Sequence, residues 1–156
     1  MEQQRQFEVY LIMYLNEMEL GMELKTESVR IEKERMIAFS KLYDPFLLHQ
    51  DEEYAAKTRF GKLVAPGVMS FMSVWANVIE SGFFGEALIA GKSTKIEWFK
   101  PVFADDVLTG KGKITGLVQR NAYNGIAELT LEVYNQRGEL VLTDVTESIV
   151  ACSAES

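Results

Sequence analysis

The only histidine of the chain, His49, follows Asp44 by five residues. Imidazole titrates near neutral pH, and a nearby carboxylate can orient the ring and stabilise its charged form. Two such groups can hold a water molecule and move protons between it and a bound molecule. The competing interpretation is a histidine that only satisfies hydrogen bonds within a loop. The choice between a catalytic and a structural histidine depends on the elements that position the pair.

The segment around the pair predicts two helices with a break between them. Apolar residues recur at helical spacing over residues 32–43, and Pro45 ends that helix because the residue before a proline is pushed out of the helical region. Asp51 can cap the free amides at the start of a second, short helix. Asp44 and His49 therefore lie in a loop that two helices support, which is typical of functional sites.

A longer apolar helix is predicted to begin at Gly67, directly after Pro66, and to end near Gly82. Its residues are apolar on nearly every side, which predicts that it is buried on nearly every side. The first amides of a helix have no acceptor within it, so this start can also receive negative charge. Gly67 would let a ligand approach the backbone. The alternative is core packing alone.

The remainder of the chain predicts β-structure. A short strand is expected at residues 26–31, and longer strands are expected at residues 90–99, 106–118, 126–134 and 139–151. Gly110, Gly112 and Gly116 share the parity of the apolar residues in their strand. They are therefore predicted to face inward and to make room for the apolar helix.

These elements predict an α+β protein with the hotdog fold, in which a curved antiparallel β-sheet wraps around one long central helix. The chain of 156 residues is expected to form a single domain over residues 1–156, with residues 1–20 as an N-terminal extension of uncertain structure. Such a sheet leaves its edges uncovered, so a homodimer or a dimer of dimers is expected.

The charge pattern restricts the partners. A net charge of -7 and a pI of about 4.8 argue against nucleic acid or an anionic membrane as a partner. Residues 54–100 are the exception, with six basic and three acidic groups. These basic groups could attract a phosphorylated ligand, or they could form a solvated patch that binds nothing.

The composition also argues against several kinds of site. Cys152 is the only cysteine, so no intrachain disulfide can form, which fits a cytoplasmic protein. One histidine and one cysteine do not suffice for a typical zinc site, so no metal is expected. The apolar run at residues 9–15 is too short to span a bilayer and lacks the features of a targeting segment. An added helix or edge strand is expected there instead.

Three stretches together resemble a known family. They are Asp44-Pro45-Phe46-Leu47-Leu48-His49-Gln50-Asp51, then Tyr54-Ala55-Ala56 with Phe60-Gly61, and finally Leu63-Val64-Ala65-Pro66-Gly67-Val68-Met69. In residue types and spacing they resemble the MaoC-like dehydratase and (R)-specific enoyl-CoA hydratase family of hotdog proteins. The resemblance extends over roughly residues 20–150.

The resemblance implies a reaction and a site. In that family an aspartate and a histidine hold and activate water, and a glycine amide faces the thioester oxygen, so these roles are implied for Asp44, His49 and Gly67. The implied reaction is reversible hydration of a 2-enoyl-CoA to a 3-hydroxyacyl-CoA in fatty acid metabolism. Coenzyme A enters as part of the substrate, and no separate cofactor is expected. Its pyrophosphate is expected near three basic residues of the positive segment: Lys62, Lys92 and Lys95.

Two alternatives keep the fold and change the function. The hotdog fold also serves acyl-CoA thioesterases and non-catalytic acyl-CoA-binding proteins, so the fold does not decide between them. A thioesterase could use Asp44 or Glu80 as its base, with His49 in a structural role. Trp75 and Trp98 are expected in the core or in an interface.

Overall fold

The computed structural model describes residues 13–154, so most of the apolar run at residues 9–15 lies outside the described residues. The described part of the N-terminal extension contains a short 3-10 helix, Leu15–Glu17. Met13, Leu15 and Met18 are buried in the hydrophobic core. None of the helices within residues 13–154 is long and apolar enough to cross a membrane.

Two short strands come first, the α-helices follow, and four long strands form the rest of the described chain. The α-helices are α1 (Lys33–Tyr43), α2 (Glu52–Ala56) and α3 (Gly67–Glu80). The strands are β1 (Glu23–Lys25), β2 (Val29–Arg30), β3 (Leu88–Trp98), β4 (Val107–Gln119), β5 (Asn124–Tyr134) and β6 (Leu140–Ala151). A second 3-10 helix, Leu47–His49, lies between α1 and α2.

The strands form one antiparallel sheet in the order β1-β4-β5-β6-β3, and β2 also pairs with β4. In β5 apolar and polar residues alternate, and the apolar ones are completely buried: Ala127, Leu129, Leu131 and Val133. One face of the sheet therefore packs on the core while the other meets solvent. This arrangement confirms the predicted α+β hotdog fold, a curved antiparallel sheet around a long helix.

The helix α3 is buried against this sheet on one face, whereas Val68, Met72 and Ile79 on its other side are exposed, so it is not buried on nearly every side as predicted. Val74 and Val78 have no exposed surface, and burial of each stabilises the fold by roughly 1.5–3 kcal/mol. Gly110 of β4 faces the helix, because a Cβ atom built on it would lie 2.7 Å from Cγ1 of Val74. At this position the glycine makes room for the helix as predicted.

Two other glycines of β4 differ from the prediction. A Cβ atom on Gly112 would lie 3.1 Å from Cγ of Leu24 in β1, so Gly112 makes room for a neighbouring strand rather than for the helix. The register of β4 against β5 shifts between Ile114 and Gly116. This bulge turns Gly116 toward the side chain of Glu128. A bulge inserts one residue into the alternation, so parity read from spacing is wrong beyond it.

Of the strand predicted at residues 26–31 only β2 forms, and β1 lies before that range at residues where no strand was predicted. Lys25 lies opposite Lys111 and Val29 lies opposite Leu108, so this side of the pair holds one more residue than β4 does. Thr26 occupies the break, and its hydroxyl oxygen accepts a 2.8 Å hydrogen bond from the Gly110 amide. The additional residue interrupts the ladder without leaving that amide unpaired.

One carboxyl group is fully buried in the sheet. Asp144 of β6 has no exposed surface. Its Oδ2 accepts a 2.5 Å hydrogen bond from the Thr146 hydroxyl, and its Oδ1 contacts the Thr94 hydroxyl of β3. The two hydroxyls also lie 2.6 Å apart. Three contacts need three hydrogens and two hydroxyls supply two, so the closed ring favours a protonated carboxyl. Burial raises the pKa of Asp144, which acts in the same direction.

Candidate active site

Asp44 is held at the end of α1 by its own backbone. Its amide donates a 3.0 Å hydrogen bond to the Ser40 carbonyl, and its carbonyl accepts a 2.6 Å hydrogen bond from the Ser40 hydroxyl. Pro45 prevents the helix from continuing. The side chain of Asp44 consequently leaves the helix at a defined place, with its carboxylate directed at His49.

His49 is the last residue of the 3-10 helix Leu47–His49, and its ring is anchored from behind. Its Nδ1 lies 2.7 Å from the carbonyl oxygen of Val64. A carbonyl can only accept, so Nδ1 carries a hydrogen. The other ring nitrogen, Nε2, lies 3.3 Å from Oδ2 of Asp44, and the His49 side chain is only 12% exposed while that of Asp44 is 50% exposed.

This geometry brings two proton acceptors together. In the neutral ring, Nε2 presents a lone pair to the carboxylate, and a water molecule that donates one hydrogen to each group would satisfy both. In the charged ring, the same two atoms form an ion pair. The pair can therefore hold water in one protonation state and carry a proton in the other, which is what general acid–base chemistry requires.

Residues 63–66 connect this loop to α3, and they are clamped on both sides. The Val64 amide donates a 3.2 Å hydrogen bond to the Leu48 carbonyl, and Val64 forms an isolated β-bridge with Phe103. The Ala65 amide donates a 2.7 Å hydrogen bond to the Val102 carbonyl. The residue that anchors the His49 ring is thus fixed to the body of the protein.

The helix α3 begins directly after this connecting segment. Its first backbone hydrogen bond runs from the Ser70 amide to the Pro66 carbonyl, at 3.1 Å. Within residues 13–154 the amides of Gly67, Val68 and Met69 have no acceptor, so the start of α3 can donate to a ligand.

The space beside Gly67 differs from the prediction. The sequence suggests that the missing side chain lets a ligand approach, but the indole of Trp98 fills this space. Trp98, predicted to lie in the core or in an interface, is not in the core: it is 49% exposed and lines the cavity described below.

A cavity of about 480 Å³ joins these groups, with Asp44, His49 and Gly67 all in its lining. This volume is typical of sites for small molecules. Its walls are mostly apolar and include Val64, Ala65, Val68, Phe99 and Val102. Glu80, the alternative base, lies at the other end of α3 and outside the lining.

The three lysines predicted for coenzyme A do not line the cavity. Lys62 lies over the Phe103 ring, 4.4 Å from its centroid. Lys92 and Lys95 extend from β3 to nearby carboxylates, with 3.4 Å to Glu147 and 3.4 Å to Glu97. The three lysines share a positive segment of the sequence, but the fold does not bring their side chains together at this cavity.

Two other cations line the cavity, Arg59 and Lys100. Lys100 is paired with Glu139, and hydrogen bonds from Lys100 and then from Arg137 lower the pKa of Glu139 to about 2. Arg59 has no carboxylate partner within the described residues, and its guanidinium lies 4.9 Å from the Phe60 ring centroid. In the sequence Arg59 is one of the six basic residues of the positive segment 54–100, and nothing in its spacing distinguishes it from the others. Only the fold brings it to the cavity.

Comparison with known proteins identifies the family of the chain. Residues 16–135 match the family model described as MaoC like domain. The chain is also 32% identical over 126 residues to the uncharacterized protein YdeM of Bacillus subtilis (strain 168). That match covers 80% of this chain and 89% of YdeM.

Solved structures share the fold. The monoamine oxidase regulatory protein from Archaeoglobus fulgidus has a TM-score of 0.85 and 26% identity, covering 91% of this chain and 96% of that one. The (R)-hydratase from A. caviae involved in PHA biosynthesis has a TM-score of 0.68 and 26% identity, covering 87% of this chain and 98% of that one. The family match over most of the chain confirms the resemblance seen in the sequence: this protein belongs to the MaoC-like family of hotdog proteins.

Proposed function

We propose that this protein catalyses the reversible addition of water to a 2-enoyl-CoA thioester, which gives a 3-hydroxyacyl-CoA. The observation that carries the proposal is that Asp44, His49 and the free amide of Gly67 line one cavity. Proton acceptors and a hydrogen-bond donor therefore face the same bound molecule. Membership of the MaoC-like family and similarity to the A. caviae (R)-hydratase support the same class of reaction.

The reaction requires both kinds of group. A water molecule held by Asp44 and by Nε2 of His49 forms a bond from its oxygen to C3 of the enoyl group. The C2–C3 π electrons move toward the thioester carbonyl, whose oxygen becomes negative. The pair takes one proton from the water and returns a proton to C2 as the carbonyl re-forms. The Gly67 amide stabilises the negative oxygen, and loss of one such donor costs roughly 2.7–4 kcal/mol.

The test is an assay with crotonyl-CoA. We expect the enoyl absorbance to fall without release of free thiol. His49→Ala should lower kcat/KM by about 10²–10⁴-fold, because the ring both holds the water and moves the proton. Gln50→Ala is the matched control, since this neighbouring side chain lies outside the cavity lining and should leave the rate unchanged.

The assay also separates the alternatives. Release of free thiol at the rate of substrate loss would contradict hydration and support a thioesterase. Substrates of several acyl chain lengths could show no loss of enoyl absorbance and no release of thiol. That result would contradict an enzyme acting on enoyl-CoA and would support a non-catalytic acyl-CoA-binding protein. Full activity of His49→Ala would remove His49 from the site.

We assign the phosphates of coenzyme A to Arg59, in place of Lys62, Lys92 and Lys95. Arg59 lines the cavity and has no carboxylate partner within residues 13–154. A planar guanidinium can also bind phosphate oxygens in pairs. Arg59→Ala should raise KM for crotonyl-CoA by about 10-fold, roughly 1.4 kcal/mol of binding, with little change in kcat. Lys95→Ala is the control that should leave KM unchanged, and equal effects of both variants would refute the assignment.

A homodimer through β3 is the second part of the proposal. β3 is the last strand of the sheet, so one side of it has no strand partner among the described residues. Ile89 on this strand and Val68 and Met72 on α3 are exposed apolar side chains. A second copy of the chain would cover them and continue the sheet.

Sedimentation measurements test this dimer. The wild-type chain, whose monomer mass is 17.7 kDa, should sediment at twice that mass, and Ile89→Glu should shift it to the monomer. Leu20→Glu is the control, because Leu20 is equally apolar and exposed but lies beside β1 at the opposite edge of the sheet. A wild-type monomer at micromolar concentration would refute the proposal.

A further inference from the structure

The indole of Trp98 is packed against the first residue of α3. A Cβ atom built on Gly67 would lie 2.5 Å from Nε1, 2.5 Å from Cε2 and 2.9 Å from Cζ2 of Trp98. Side chains do not approach each other this closely, because such distances are far inside van der Waals contact. A side chain at position 67 would therefore collide with the indole of Trp98, and the indole nitrogen lies close to the first residue of the helix.

The indole N–H has no hydrogen-bond acceptor within residues 13–154. The backbone of Trp98 is held in the sheet opposite Leu142 of β6, which fixes the position of the residue. Indole nitrogen can only donate, and at sites that become covered it usually finds an acceptor. A bound molecule that supplies an oxygen at this point would satisfy it.

Both unpaired donors belong to the cavity that holds Asp44 and His49. The indole nitrogen lies 2.5 Å from the position that a Gly67 Cβ atom would take. An N–H···O bond spans about 2.9 Å, so one oxygen placed between the two residues can accept from both donors. The apolar side chains Val68 and Phe99 line the same cavity. They supply no competing donor.

We propose that Trp98 is a further catalytic residue, whose indole N–H donates to the thioester carbonyl oxygen together with the Gly67 amide. This inference rests on the proposed hydration of an enoyl-CoA thioester. The two donors would stabilise the oxygen as it becomes negative, and neither gains nor loses a proton. Because the charge develops in the transition state, the indole should act mainly on kcat.

The first experiment removes the N–H and keeps an aromatic ring. Trp98→Phe should lower kcat for crotonyl-CoA by about 10²-fold with little change in KM. Trp75→Phe makes the same chemical change at the other tryptophan, which stacks on Phe71 with ring centroids 6.0 Å apart and lies outside the cavity lining. It should leave kcat unchanged.

The same two variants report binding without catalysis, because the chain contains only two tryptophans. In Trp75→Phe the fluorescence comes from Trp98 alone, and in Trp98→Phe it comes from Trp75 alone. Butyryl-CoA is a saturated thioester that cannot be hydrated. Its titration should shift the emission of Trp75→Phe and leave that of Trp98→Phe unchanged.

The packing contact is tested by stability. Gly67→Ala should lower Tm, because the new methyl group collides with the indole. Adding Trp98→Ala should restore most of that loss, because alanine lacks the whole indole with which the methyl group collides. An equal loss in the single and double variants would contradict the contact.

The outcomes separate the two proposals. A wild-type protein that does not hydrate enoyl-CoA refutes the proposed function before any variant is compared. An active wild type with wild-type kcat in Trp98→Phe refutes only the role of Trp98. The role of Trp98 is also refuted if butyryl-CoA shifts the emission of Trp98→Phe, which reports Trp75, and leaves the emission of Trp75→Phe, which reports Trp98, unchanged.

Discussion

Asp44 and Asp144 differ in their exposure and in the groups that face them. The side chain of Asp44 is 50% exposed, and its carboxylate lies 3.3 Å from a ring nitrogen of His49. Asp144 is completely buried, and its partners are the hydroxyls of Thr94 and Thr146. Asp44 meets water and a group that can exchange protons. Asp144 meets neither, and its carboxyl closes a ring of hydrogen bonds.

The comparison shows that residue type does not determine what a carboxyl group does in this protein. Desolvation raises the pKa of Asp144, whose carboxyl joins a ring of hydrogen bonds within the sheet. At Asp44 the helix end leaves the group in the cavity, where a neighbouring base makes it useful for chemistry. One carboxyl supports the fold, and the other is available to a substrate.

The largest expected effect separates the two residues by activity. Asp44→Asn should lower kcat/KM for crotonyl-CoA by about 10²–10⁴-fold, because the amide cannot take up a proton. Its thermal unfolding should match that of the wild type, since the side chain is half exposed. Asp144→Asn is the matched control and should retain the wild-type rate. Comparable losses of kcat/KM in both variants would show that the two carboxyl groups do not differ in their role in catalysis.

An intermediate effect tests the ring around Asp144. Thr146→Val deletes the hydroxyl that donates to Oδ2 and leaves a buried acceptor without a partner, which costs roughly 1–3 kcal/mol of unfolding free energy. Urea unfolding measures this loss. Thr130→Val is the control, because its hydroxyl contacts Thr115 at an exposed position and its loss should cost less than about 0.5 kcal/mol. Equal costs would show that the ring adds nothing to stability.

The smallest effect concerns pH. The pKa of Asp144 is raised in the folded state, so the folded protein keeps a proton that the unfolded chain releases above about pH 4. Its contribution to stability is therefore present below that pH and is lost as pH rises toward the folded-state pKa. Asp144→Asn replaces the neutral acid with a neutral amide that can also donate and accept.

Urea unfolding at two pH values measures this difference. Asp144→Asn should gain stability relative to the wild type as the pH rises from 4 to 8, because only the wild type loses the contribution of the bound proton. A difference in unfolding free energy between the two proteins that is the same at both pH values would show that the pKa of Asp144 is not raised in the fold. The contrast with Asp44 would then rest on exposure alone.

The parts of the site that follow from local sequence could be predicted. Pro45 ends α1 at Tyr43, and the carboxylate of Asp51 accepts a 3.0 Å hydrogen bond from the Tyr54 amide, so the loop lies between two helices as expected. The start of α3 at Gly67, directly after Pro66, could also be predicted from the local sequence. Each of these features depends on residues within a few positions of one another.

The features that were missed depend on distant contacts. Trp98 reaches Gly67 across 31 residues, and nothing in the spacing of either position indicates the other. Asp144 is one of several polar residues in an alternating strand, so only the packing of β3 beside β6 shows that it is buried. The bulge after Ile114 reversed the predicted faces for the same reason, because it depends on how β4 meets β5.

The connecting segment at residues 63–66 also governs how the site moves. Val64 holds the His49 ring by its carbonyl, and three residues later the chain supplies the amide of Gly67. The base and the amide are therefore joined by one short covalent path that the neighbouring backbone at Val102 and Phe103 clamps. Thermal opening of the loop would displace both groups together. The spacing of the site should thus persist until this segment detaches, and slow amide hydrogen exchange at Ala65 would report its attachment.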